Sequence, residues 1–169
     1  MHAVVVYESF WGNTAAIARA IAEGIGPDAT AMTTDEASAN VVASADLLIV
    51  GAPVLGFRLP TDAVREGLLR EYGAPTPADT SHRSMRSWLE ALPAGHAHVA
   101  AFETRFRFSP GGSIGTITHE MERAGYRPAA KGQKFLVTGK YGPLKDGEIE
   151  RARLWGTELA AAAQDGAPS

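Results

Sequence analysis

In the hexapeptide SFWGNT, Ser9, Asn13 and Thr14 flank Gly12 where a short β-branched run turns into a helical pattern. Hydroxyl, amide and free backbone N–H groups gathered at the start of a helix are all donors, and the helix dipole adds a partial positive charge there. Such a turn can hold a phosphate without a cationic side chain, and the hexapeptide contains none. The same residue types also make ordinary helix caps. Taken alone, the turn leaves both roles open.

The frame around the turn reads as strands alternating with helices. Ala3 to Glu8 is apolar at nearly every position, as in a strand covered on both faces, and Ile17, Ile21 and Ile25 then recur every fourth residue until the Gly24, Gly26, Pro27 cluster. A weak strand is expected at Ala29 to Met32 and a short helix at Glu36 to Ala43. DLLIVGAP, ending in Gly51 and Pro53, reads as a buried central strand. Val64 and Leu68 mark one helical piece, and Met85, Trp88, Leu89 and Leu92 mark another. The stretch YGAPTPADTSHR between them is expected to be an exposed, mobile loop. HVAAFE is the fourth strand. Ser113 is expected to cap a helix striped by Ile114, Ile117 and Met121, KFLVTG is the fifth strand, and a last helix runs from about Asp146 to Ala163, where small residues such as Gly156 would bring it close to the sheet.

Five strands and intervening helices in a chain of 169 residues predict a single doubly wound α/β domain over residues 1–165, with a frayed tail at 166–169. Such folds bind ligands at the carboxyl ends of their strands. The loops Glu8 to Thr14, Ala52 to Thr61 and Glu103 to Gly112 are therefore the places to look.

Composition removes several alternatives. A net charge of −3 leaves no footprint for nucleic acid, and the absence of cysteine excludes disulfides, thiolate metal sites and cysteine nucleophiles. No apolar run approaches the length of a membrane span and no basic leader precedes AVVVY, so a cytoplasmic protein is expected. A phosphoacceptor domain would need an aspartate ending the third strand, where VGAP stands, and Lys140 after the fifth strand has no such partner. Neither a nucleotide P-loop nor a dinucleotide fingerprint follows the first strand. His96 and His98 share one strand face, but a third metal ligand is missing nearby.

SFWGNT resembles the phosphate loop of the flavodoxin family, in its S-x-x-G-N-T form. The likeness extends to the GAP ending of the third strand and the glycine-bearing loops after the third and fourth strands. It implies a parallel sheet of order 2-1-3-4-5 with helices on both faces, and FMN as cofactor. Ser9 and Thr14 would be hydroxyl donors to the phosphate, and Phe10, Trp11, Gly12 and Asn13 amide donors. Pro53, Val54, Leu55, Gly56 and Phe57 would lie against the flavin ring, with the Gly56 peptide near N5. Glu103, Thr104, Arg105 and Phe106 would lie near the pyrimidine end, with backbone amides facing the flavin carbonyls.

The departures from the family pattern matter for function. In place of its usual tryptophan and tyrosine, the second loop offers Leu55 and Phe57 and the third Phe106 and Phe108, two residues whose spacing also suits core positions. Arg58, Arg105 and Arg107 replace the family's acidic surround, and Arg105→Glu would be expected to lower the flavin potential. Trp11 can pack over the ligand or shield the turn. The resemblance implies an FMN-binding redox protein that passes electrons to a partner protein or small-molecule acceptor. An FMN-dependent oxidoreductase of quinone or protoporphyrinogen type, or a binding module that has lost FMN, are the alternatives.

Overall fold

The apolar run at the start of the chain forms β1, Ala3–Tyr7, and all five of its residues are buried. Glu8 stands just past the strand, its N–H still bonded to the Gly51 carbonyl at 3.1 Å. The computed structural model describes residues 1–166. β1 is flanked by β2 (Ala29–Thr33) and β3 (Leu47–Pro53), and β3 pairs in turn with β4 (His98–Arg105), every pairing parallel. The expected fifth lane is broken in two. β5, Arg127–Pro128, pairs with His98 and Val99, and β6, Gln133–Leu136, pairs with Phe102 to Arg105. The order β2-β1-β3-β4-β5 with β6 also on β4 is the predicted doubly wound sheet with one lane interrupted.

Alternation along the strands divides the core between the two faces. Val5, Ile49 and Phe102 face α1 (Asn13–Ile25) and α6 (Glu148–Asp165), where they meet Ile17, Ile21, Trp155 and Leu159. Val4, Val6, Leu48 and Val50 face the other layer. That layer is built from Val42 of α2 (Ala39–Ala43), Met85, Trp88 and Leu89 of α4 (Met85–Glu90), and Ile117 and Met121 of α5 (Ile114–Arg123). α3 (Asp62–Leu68) contributes Leu68 to a small separate cluster with Phe10 and Ala78.

Gly156 differs from expectation. It draws α6 against α1 rather than the sheet, since a side chain there would strike the Ile21 carbonyl, and one at Gly24 would strike the Arg153 carbonyl. Two helices that touch backbone to backbone leave no room for even a methyl group. Leu92 also lies beyond the short α4, although it packs on the same core.

The segment expected to be a free loop is only partly so. Tyr72 is 97% exposed, but Asp79 donates its N–H to the Phe10 carbonyl at 2.9 Å, and Ala78 and His82 are buried. The loop is tied to the turn it follows in space. Gly166 closes α6 by donating to the Ala162 carbonyl. The rest of the expected tail, residues 167–169, lies outside the described residues.

Candidate functional site

The turn after β1 does not cap its helix through a side chain. Gly12, at φ +94°, occupies the N-cap position of α1 in the left-handed region, where glycine is at no steric disadvantage. Its N–H donates to Ser9 Oγ at 3.1 Å. Thr14 Oγ1 is engaged elsewhere, 2.8 Å from Thr104 Oγ1 on β4. Among the described residues no acceptor is bonded to the amides of Phe10, Trp11, Asn13 or Thr14. Three of the four expected amide donors are therefore free at the positive end of a 13-residue helix, and the Gly12 amide is spent within the turn.

The aromatic residues of the turn build its walls. Phe10 is buried, with the Arg65 guanidinium 5.5 Å from its ring centre and the His82 ring 6.0 Å away. The Trp11 indole N–H donates to the Thr76 carbonyl at 3.1 Å, and its ring meets Tyr141 edge-on at 4.6 Å. Both side chains thus brace the turn, although each also lines the cleft above it.

That cleft lies at the carboxyl ends of β1, β3 and β4. Ser9, Asn13 and Thr14 line it from the first loop, Pro53, Val54 and Leu55 from the second, and Thr104, Arg105 and Phe106 from the third. Val137 and Lys140, from the segment that joins β6 to α6, complete the lining. The sequence pointed to neither. Gly12, Gly56, Phe57 and Glu103, which the resemblance placed in the site, do not line the cleft.

The second loop turns tightly. Leu55 donates its N–H to the Arg58 carbonyl at 3.1 Å, and the two residues between, Gly56 at φ +62° and Phe57 at φ +68°, are both left-handed. This is the pattern of a two-residue hairpin turn, unfavourable for a phenylalanine. The Phe57 side chain is 62% exposed. Its carbonyl accepts the Gly112 N–H at 3.1 Å, and Ser113 Oγ donates to the Pro53 carbonyl at 2.8 Å, so the second and third loops are joined. Ser113 was expected to cap α5. It binds the neighbouring loop instead, and the Glu103 carboxylate accepts the Ile114 N–H at 3.3 Å.

Glu103 and Arg105 organise the third loop from inside. Both are buried, with Arg105 Nη1 3.2 Å from Glu103 Oε2 and 2.9 Å from the Gly111 carbonyl, while Nε reaches the Phe106 carbonyl at 3.2 Å. Glu103 is not among the residues lining the cleft, and its charge offsets that of Arg105. Phe106 and Phe108, at 44% and 87% exposure, are surface residues and not core. Arg107 lies over the Phe108 ring at 5.3 Å.

A second buried carboxylate lies behind the turn. Glu8 Oε2 accepts from Arg65 Nη1 at 2.5 Å and from the Met85 N–H at 3.0 Å. Burial pushes its carboxyl above the usual range, against the opposing pull of the Met85 amide and Arg65. Arg65 Nη2 also donates to the His82 carbonyl at 2.6 Å, fastening the 72–83 segment beneath Phe10.

Comparison with solved structures places this architecture. A flavodoxin from the domain Archaea superposes with a TM-score of 0.65 at 20% identity, over 97% of this chain and 99% of that one. Oxidised Flavodoxin 1 from Bacillus cereus gives 0.65 at 16% identity, over 99% and 100%. A flavodoxin, WrbA-like protein from Agrobacterium tumefaciens gives 0.57 at 20%, over 98% and 99%. The chain has the flavodoxin fold. No family model matches it, and no curated protein matches it.

Proposed function

We propose that the protein binds FMN non-covalently and transfers electrons through it. The observation that carries this reading is the uncapped start of α1. Side chains of the types that usually cap a helix are present, yet they leave backbone amides free inside a cleft at the switch point of a flavodoxin fold. Bound flavin would supply the redox chemistry, and the chain would supply binding, orientation and charge.

The phosphate end suits that ligand as it stands. Thr14 can accept from Thr104 and donate its own proton to a phosphate oxygen, beside the free amides of the turn. The ring end is tighter. The cleft has a volume of about 40 Å³, well below the roughly 300 Å³ at the lower end of ligand pockets, so Leu55, Phe106 and the joined loops must part to admit a ring. Phe57, 62% exposed at the tip of the second loop, is available to cover it, and Phe108 in the third loop is more exposed still.

The surroundings of the cleft favour an acidic electron partner. Neither the Pro53 to Thr61 segment nor Thr104 to Ser113 contains a carboxylate, and Arg58 and Arg107 stand exposed beside Phe57 and Phe108. The test is a titration of ligand-free protein with FMN and, in parallel, riboflavin, following quenching of flavin fluorescence. Tight FMN binding with much weaker riboflavin binding is expected. No binding of either would overturn the proposal and leave a binding module on an inherited fold.

A further inference from the structure

Two cationic residues line the cleft, Arg105 and Lys140, and they are not equivalent. Arg105 is buried, paired with the equally buried Glu103 and bonded to two loop carbonyls, so its charge is committed to the third loop. Among the described residues Lys140 is paired with Glu71, with side chains 42% and 18% exposed, and its Nζ lies 6.0 Å from the Tyr141 ring centre. A part-exposed pair of this kind is a weak one, on the order of 0–1 kcal/mol, and can be exchanged for a stronger anion.

The segment carrying Lys140 is braced directly on the turn. Tyr141 packs its ring against Trp11 and donates its hydroxyl to Glu71 at 2.9 Å. Gly142, at φ +100°, presses so closely on Asn13 that a side chain there would come within 2.6 Å of Oδ1. These contacts fix Lys140 over the same opening that Ser9, Asn13 and Thr14 line. Burial pushes the Glu71 carboxyl upward, but bonds from Lys140 and Tyr141 more than offset this and hold it below the usual range, so it is an anion at neutral pH.

We infer that Lys140 is the phosphate-selecting residue of the cleft, paired with Glu71 before the ligand binds and transferred to its terminal phosphate on binding. The turn itself carries no cation, so a cation from a loop more than 120 residues further along the chain completes it. Lys140 and Glu71 together favour ligands that end in a phosphate dianion over their dephosphorylated counterparts. This inference rests on the reading of the cleft as an FMN site.

The test compares wild type with Lys140→Gln and Glu71→Gln, titrated with FMN and with riboflavin at two salt concentrations, and with inorganic phosphate as a thermal-shift probe. Lys140→Gln is expected to weaken FMN binding by about ten-fold, leave riboflavin unchanged and flatten the salt dependence. Glu71→Gln, which removes the competing carboxylate, is expected to tighten FMN binding. An FMN affinity unchanged in both variants, with discrimination against riboflavin intact, would overturn the role of Lys140 while leaving the FMN reading standing. If wild type binds neither flavin, the FMN reading fails and the phosphate arm decides. Stabilisation of wild type but not of Lys140→Gln would uphold Lys140 as the cation of an anion site, and any other result would overturn it.

Discussion

Thr14 and Thr104 place their hydroxyls 2.8 Å apart, joining the first turn of α1 to the end of β4. The family resemblance places the two residues at opposite ends of a ligand, and the fold makes them partners. Thr104→Val keeps the shape and removes the donor. It is expected to weaken FMN binding about five-fold, or ~1 kcal/mol, without affecting riboflavin. Thr14→Ala is expected to cost more, about 1 to 3 kcal/mol, because the group that meets the phosphate is itself lost. Fluorescence titration of each variant checks both values.

Arg105 changes meaning once its partner is known. Its charge is offset by Glu103, so Arg105→Glu is expected to act on the fold as well as on the flavin potential that the sequence suggested. Two buried carboxylates would then face each other. Urea denaturation is expected to show a loss of about 3 to 5 kcal/mol, and a stability equal to wild type would contradict the pair.

Phe57 holds a left-handed backbone with an exposed aromatic ring, a combination a structural role alone does not require. Asparagine tolerates that conformation better. Phe57→Asn is expected to raise stability by about 1 kcal/mol while lowering FMN affinity. Denaturation and flavin titration on the same sample test the pairing of gain and loss, and unchanged FMN affinity would remove Phe57 from the ring site.

Glu8 links stability to pH in the direction opposite to most carboxylates. Because burial raises its pKa in the folded state above the ordinary 4.5, the native chain binds more protons than the unfolded one just above that pH. Its contribution to stability is full below 4.5 and is lost as pH rises through the folded value. Glu8→Gln keeps an acceptor for Arg65 and the Met85 amide. Denaturation at a series of pH values is expected to show this downward slope in wild type and its absence in the variant.

The fold was legible because strands buried on both faces, such as β1 and β3, and helices with a regular apolar stripe, such as α1 and α5, carry their environment in local pattern. The three loops followed from topology. What local pattern does not carry is which distant groups meet. Ser113 looks like a helix cap and serves as a tie to Pro53, and Glu103 looks like a site residue and serves as a support for Arg105 and α5. Lys140 sits in no motif. Only the return of the chain from β6 places it beside a turn it is separated from by most of the sequence.

The interrupted fifth lane bears on how the molecule behaves among its own copies. An unpaired sheet margin invites a neighbour's strand to add to it, and aggregation begins there. Here the margin is a two-residue strand ending in Pro128, which has no N–H to offer, followed by a four-residue strand that carries Lys134, with Lys131 exposed between them. This rim is thus too short, too charged and too poor in donors to template intermolecular pairing. The β5/β6 margin is therefore protected against edge-to-edge stacking, which leaves β2, Ala29–Thr33, as the open edge of the sheet.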